Sequence, residues 1–122
     1  MSQAENNHRI DYLEFPTTDI EATKRFYHQV FNWDFTDYGP GYTSFHDGRL
    51  AGGFNSESRP AGTDAGATRG VLVVLYAAAL EDTYAKVKEA GGKIVRETFE
   101  FPGGRRFHFA DPNGNELAVW SE

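Results

Sequence analysis

At 122 residues the chain has room for one domain with a real core and not for two independent ones. Its formal net charge of −6, with lysines and arginines scattered along the chain, excludes the basic stripe that nucleic acid or an anionic membrane requires of a partner. The absence of cysteine excludes disulfides, thiol nucleophiles and thiolate metal sites, so any metal must rest on His, Asp or Glu.

Residues 1–7 are polar, carry no apolar leader segment and are expected to be disordered. From Arg9 to Phe15 the residues alternate, with Tyr12 and Glu14 on one side and Leu13 and Phe15 on the other, which predicts a first strand closed by Pro16. Thr18 and Glu21 have capping-box spacing, and Ile20, Thr23, Phe26, Tyr27, Val30 and Phe31 recur at helical spacing, predicting a helix over 20–31. His28 falls on its solvated side. Three short strands are expected at 34–38, 42–46 and 49–54, separated by Gly39-Pro40-Gly41 and Asp47-Gly48. Residues 55–70 have no periodicity and form a linker or flap.

Val71 to Tyr76 is a buried-type strand, and Leu80, Tyr84 and Val87 mark a second helix stopped by Gly91-Gly92. A short strand at 93–97 and a turn at Pro102-Gly103-Gly104 lead to the terminal hairpin. There, alternation places Phe107, Phe109, Leu117 and Val119 on one face and Arg106, His108, Glu116, Ala118 and Trp120 on the other, on either side of Asp111-Pro112-Asn113-Gly114. The longest apolar run, 70–80, is too short to cross a bilayer, and a cytoplasmic location is expected.

The order strand, helix, three strands occurs twice. A shift of 60 residues superposes Leu13 and Phe15 on Val73 and Leu75, Ile20 on Leu80 and Glu21 on Glu81. The expected fold is α+β: two βαβββ modules, about 8–54 and 71–121, forming an eight-stranded curved mixed sheet with the helices on its outer face. Residues 8–122 are one domain in this reading. The curved sheet leaves open edges, so a homodimer is expected.

Leu13-Glu14-Phe15 with Asp19, Phe26-Tyr27, Val30-Phe31-Asn32-Trp33, Lys86 to Gly92 and Asp111 to Asn115 together resemble the vicinal oxygen chelate superfamily, the group of glyoxalases, bleomycin-resistance and fosfomycin-resistance proteins and extradiol dioxygenases. The resemblance covers residues 8–121. It implies a divalent metal held by inward His, Glu or Gln side chains on four strands, where it acts as a Lewis acid on adjacent substrate oxygens. Transferred to this chain, those positions fall on Tyr12, Leu72, Ala118 and a residue in 51–53. None is a usual ligand, so the metal site of the resembled family is expected to be missing.

A displaced set made of Glu14, His108 and Glu116 is the alternative, and it would support a metal-dependent lyase, isomerase or dioxygenase. Without metal, His108 is either a general base or a hydrogen-bond partner of the substrate, with Glu14 beside it, or a structural histidine bonded to a neighbouring strand. Arg106 is either a clamp for a carboxylate or phosphate or an exposed rim residue. Tyr12, Leu72, Tyr76 and Trp120 share the inner face with these groups and line either a cavity or a filled core. The preferred expectation is a cofactor-free protein that binds a small organic molecule; a dimeric interaction module with no small-molecule role is a further alternative.

Overall fold

A computed structural model describes Glu5, Asn7, His8, residues 10–56 and residues 72–122. Most of the expected disordered terminus, nearly all of the expected linker and the start of the strand at Val71 lie outside the described residues. The chain runs β1 (Tyr12–Pro16), α1 (Ile20–Phe31), β2 (Asp34–Asp37), β3 (Tyr42–His46), β4 (Ala51–Asn55), β5 (Val73–Tyr76), α2 (Leu80–Glu89), β6 (Lys93–Phe101), β7 (Gly104–Ala110) and β8 (Glu116–Ser121). This is the doubled βαβββ order. The eight strands divide into two hydrogen-bonded sheets of four, one per module, ordered β1-β4-β3-β2 and β5-β8-β7-β6. In each sheet the first strand is an edge and runs parallel to the last, while the other pairs are antiparallel.

The repeat extends to register. Glu14 pairs with Gly53, which pairs with Ser44, while in the second sheet Val74 pairs with Ala118, which pairs with His108. Residues of one parity therefore form a polar inner face in both sheets, and those of the other parity form the core. The core is aromatic: Tyr27, Phe54, Phe107 and Phe109 are fully buried, and Trp33 stacks between Tyr27 at 4.7 Å and Phe45 at 4.5 Å. Helix α1 packs across both halves, since Tyr27 lies 5.1 Å from Phe54 of the first sheet and Phe26 lies 5.9 Å from Phe109 of the second. Helix α2 covers the second sheet alone through Leu80, Val87 and a Tyr84–Phe107 edge contact at 5.1 Å.

The capping box expected at Thr18 and Glu21 is replaced by a longer-range arrangement. The N-cap of α1 is Asp19, whose carboxylate accepts from Ala22 N at 3.0 Å, and Glu21 instead pairs with Lys24 at 3.1 Å. The Thr18 backbone N–H donates to Asn113 Oδ1 at 2.8 Å, from a residue 95 positions away. The same oxygen accepts from the Thr17 hydroxyl at 2.6 Å, and Asn113 Nδ2 donates to Thr23 Oγ1 at 3.0 Å. Asn115 Nδ2 donates to Pro16 O at 3.0 Å, and the Tyr27 hydroxyl donates to Asp111 Oδ2 at 2.9 Å. The turn between β7 and β8, with Gly114 at φ +87°, is thus a clamp on the junction of β1 and α1. Burial pushes the Asp111 carboxyl up from its ordinary range, with the hydrogen bonds it accepts pulling the other way, and burial drives the Tyr27 phenol well up.

Strand β6 is longer than the five residues expected, reaching Phe101 with register shifts between Ile94 and Arg96 and between Arg96 and Phe99. Each shift breaks period-2 alternation, which is why the sequence pattern stops at Glu97. Among the described residues no helix is long and apolar enough to cross a membrane.

Candidate functional site

Three of the expected site residues meet at a groove between the edge strands β1 and β5. The groove has a volume of about 1170 Å³, and Tyr12, Tyr76 and Trp120 line it together with the core rings Phe15, Trp33 and Phe45. Tyr76 meets Trp120 edge to face at 5.2 Å, and its hydroxyl donates to Glu122 Oε1 at 2.6 Å, which raises the phenol above its ordinary pKa. Trp120 is half-buried, and Tyr76 is 53% exposed. Large apolar surface left open in a cleft suits flat organic molecules. Leu72 precedes β5, is half-buried and is not among the groove residues.

On the inner face of the first sheet, the polar groups are occupied with one another. Tyr12 and Tyr42 share a hydroxyl–hydroxyl bond of 2.5 Å, and the Tyr42 hydroxyl donates to Glu14 Oε2 at 2.9 Å. Burial and these two bonds push the Tyr42 phenol well above its ordinary pKa. Both hydroxyls sit in the space a side chain at Gly53 would fill: a Cβ there would lie 2.0 Å from Tyr42 Oη and 2.7 Å from Tyr12 Oη. Glu14 is therefore bound by Tyr42, and the carboxylate on His108 is a different one.

The second sheet is organised otherwise. Cross-strand pairing sets Phe99, Arg106, Trp120 and Tyr76 in one row across β6, β7, β8 and β5, and Arg96, His108, Ala118 and Val74 in the next. His108 Nδ1 bonds Glu116 Oε2 at 2.8 Å, and His108 is 7% exposed. His108 is thus bonded to a residue of the neighbouring strand β8, while Glu14 stands in the other sheet. His108 Nε2 and Arg106 Nε are both buried and without a hydrogen-bond partner. Arg106 is half-buried and is not an exposed rim residue. Its guanidinium lies 5.3 Å from the Phe99 ring and 5.6 Å from the Phe101 ring, and that of Arg96 lies 3.6 Å from Phe99. Arg105, on the opposite face, is paired with Glu81.

The positions at which a metal is expected from the family resemblance do not fit one. Leu72, Ala118 and residues 51–53 offer no donor side chain, and the Tyr12 phenol is engaged by Tyr42. Of the displaced set, His108 and Glu116 come together while Glu14 stands in the other sheet, and among the described residues no group of three His, Asp or Glu side chains is placed to hold a metal ion. Sequence reasoning missed Arg96 and Phe99, hidden by the bulges of β6, and Tyr42. The Gly52-Gly53 pair inside a strand was the available signal for Tyr42, because glycine there marks close approach by another group.

Residues 9–119 match the Glyoxalase family, described as Glyoxalase/Bleomycin resistance protein/Dioxygenase superfamily. Comparison with curated proteins yields no match. Among solved structures, a hypothetical protein from S. aureus is 16% identical with a TM-score of 0.76, the alignment covering 99% of this chain and 100% of that one. A fosfomycin resistance protein from Listeria monocytogenes, solved with Mn(II), is 13% identical with a TM-score of 0.75 over 93% of this chain and 90% of that one. Lactoylglutathione lyase from Agrobacterium tumefaciens is 19% identical with a TM-score of 0.69 over 93% of each chain. Identities at this level carry the fold and nothing further. On the match of residues 9–119, the chain belongs to the Glyoxalase/Bleomycin resistance protein/Dioxygenase superfamily.

Proposed function

We propose that this chain is a small-molecule-binding member of its superfamily that works as a cytoplasmic homodimer and does not use a divalent metal. The ligand lies in the groove against Tyr12, Tyr76 and Trp120. The observation that carries the reading is the pairing of an open, aromatic-walled groove with inner-face positions that hold Leu72, Ala118 and glycine where a ligand set would stand. The open edges of β1 and β5 support the dimer, with Val74 42% exposed and Ile10, just before β1, 72% exposed.

A thermal-shift screen against cationic antibiotics, aromatic acids and α-keto compounds tests the binding role, since a ligand that binds only the folded state raises Tm by mass action. Trp120→Ala is expected to remove the shift while leaving the circular dichroism spectrum unchanged. The alternative is a divalent-metal-dependent lyase, isomerase or dioxygenase. Stoichiometric Ni, Zn, Fe or Mn in protein purified without chelator would overturn the metal-free reading. Light scattering tests the dimer.

A further inference from the structure

Burying a hydrogen-bonding group without a partner costs about 1–3 kcal/mol, so two such groups side by side call for an explanation beyond the fold. Arg106 and His108 are two residues apart on β7, which places their side chains on the same face, neighbours along one strand. Arg106 Nε and His108 Nε2 are both buried and unpartnered. Glu116 fixes the imidazole by engaging Nδ1 at 2.8 Å, which turns Nε2 away from the one carboxylate bonded to it. Arg96 and Arg106 make no ion pair among the described residues, although the chain carries 18 acidic residues against 12 lysines and arginines. Phe99 and Phe101 flank these cations on the same face.

We propose that the inner face of the second sheet is a carboxylate-binding site, which takes the acid group of an aromatic organic acid between Arg106 and His108. This deepens the binding role above and rests on it for the body of the ligand, because Trp120 stands opposite Arg106 in the cross-strand row and also lines the groove. One carboxylate oxygen accepts from Arg106 Nε–H. The other accepts from His108 Nε2–H of an imidazolium, whose Nδ1–H donates to Glu116. The imidazolium then stands between two carboxylates, and Arg96 and Arg106 balance the second of them. The aromatic body of the ligand lies along Phe99, Phe101 and Trp120, which supply ring faces and edges.

The test is calorimetric titration with phenylacetate, its neutral amide and inorganic phosphate. Phenylacetate is expected to bind at least tenfold more tightly than the amide, with phosphate weaker than phenylacetate for want of a ring. Arg106→Gln and His108→Gln are each expected to lose at least tenfold for the acid and little for the amide. Arg105→Gln, on the opposite face, retains full affinity. On binding, the His108 Nε2 NMR signal shifts as the new hydrogen bond forms, a change that a purely structural histidine does not show. Melting curves confirm that each variant is folded. Equal affinity for acid and amide overturns the carboxylate site while leaving groove binding intact. Undiminished acid binding in folded Arg106→Gln and His108→Gln overturns it as well, and the failure of both phenylacetate and its amide to bind overturns both readings.

Discussion

The two inner faces descend from the same strand order and register, yet they treat their polar groups in opposite ways. In the first sheet Tyr12, Tyr42 and Glu14 are bonded in series over Gly53, so the polar groups satisfy one another. In the second, Arg106 and His108 each keep a buried nitrogen without a partner. A face whose hydrogen bonds are closed adds to stability, while a face with unpartnered buried nitrogens gives some up. On the proposed binding role, the polar groups of the first half serve structure and those of the second hold the acid group, although both halves present aromatic rings to the groove.

The largest expected effect comes from breaking what holds the two halves in one frame. Asp111→Asn presents an amide N–H₂ to donors that require oxygen, and should cost about 3 kcal/mol in urea unfolding at neutral pH. The pH dependence has a defined sign. Because the folded carboxyl titrates above 3.8, the folded state binds its proton more tightly than the unfolded chain does. Its contribution is fully present below pH 3.8 and is lost as pH rises through the folded value, so wild type minus Asp111→Asn stability should shrink over that window.

Next in size is Gly53→Ala. The added methyl displaces the Tyr12 and Tyr42 hydroxyls, costing about 2 kcal/mol, and the Tyr42 phenol then titrates nearer its ordinary value of 10.0, read from tyrosinate absorbance. The smallest effect is expected on the other face. Arg106→Met should change unfolding stability by no more than about 0.5 kcal/mol or increase it, because a buried unpartnered donor is replaced by an apolar chain of similar length. A loss from Arg106→Met as large as that from Gly53→Ala would erase the contrast between the faces.

The strand and helix order, the doubling and the inner-face parity of the terminal hairpin were all legible, because each is written in local period. His108 and Glu116 share a parity eight residues apart, so their meeting followed from alternation. Strand β6 was not legible beyond Glu97, since two register shifts scramble the pattern that places Arg96 and Phe99 on the inner face. Alternation also grouped Glu14 with His108 and Glu116, because parity fixes a face and not which sheet carries it. The family resemblance located positions without donors, but the tyrosine pair that fills the space at Gly53 required coordinates. Nothing near Thr18 announces Asn113, because a hydrogen bond spanning 95 residues leaves no local trace.

That last bond has a consequence in time. Thr23 lies 90 residues upstream of the Asn113 amide that completes its surroundings. At a synthesis rate of about 5–20 residues per second, the start of α1 waits on the order of ten seconds for its partner to be made. Throughout that interval the first half of a nascent chain has its strand–helix junction open to water. A chain cut short before Asp111 never closes it, so the turn between β7 and β8 completes the first module only after the second has been made.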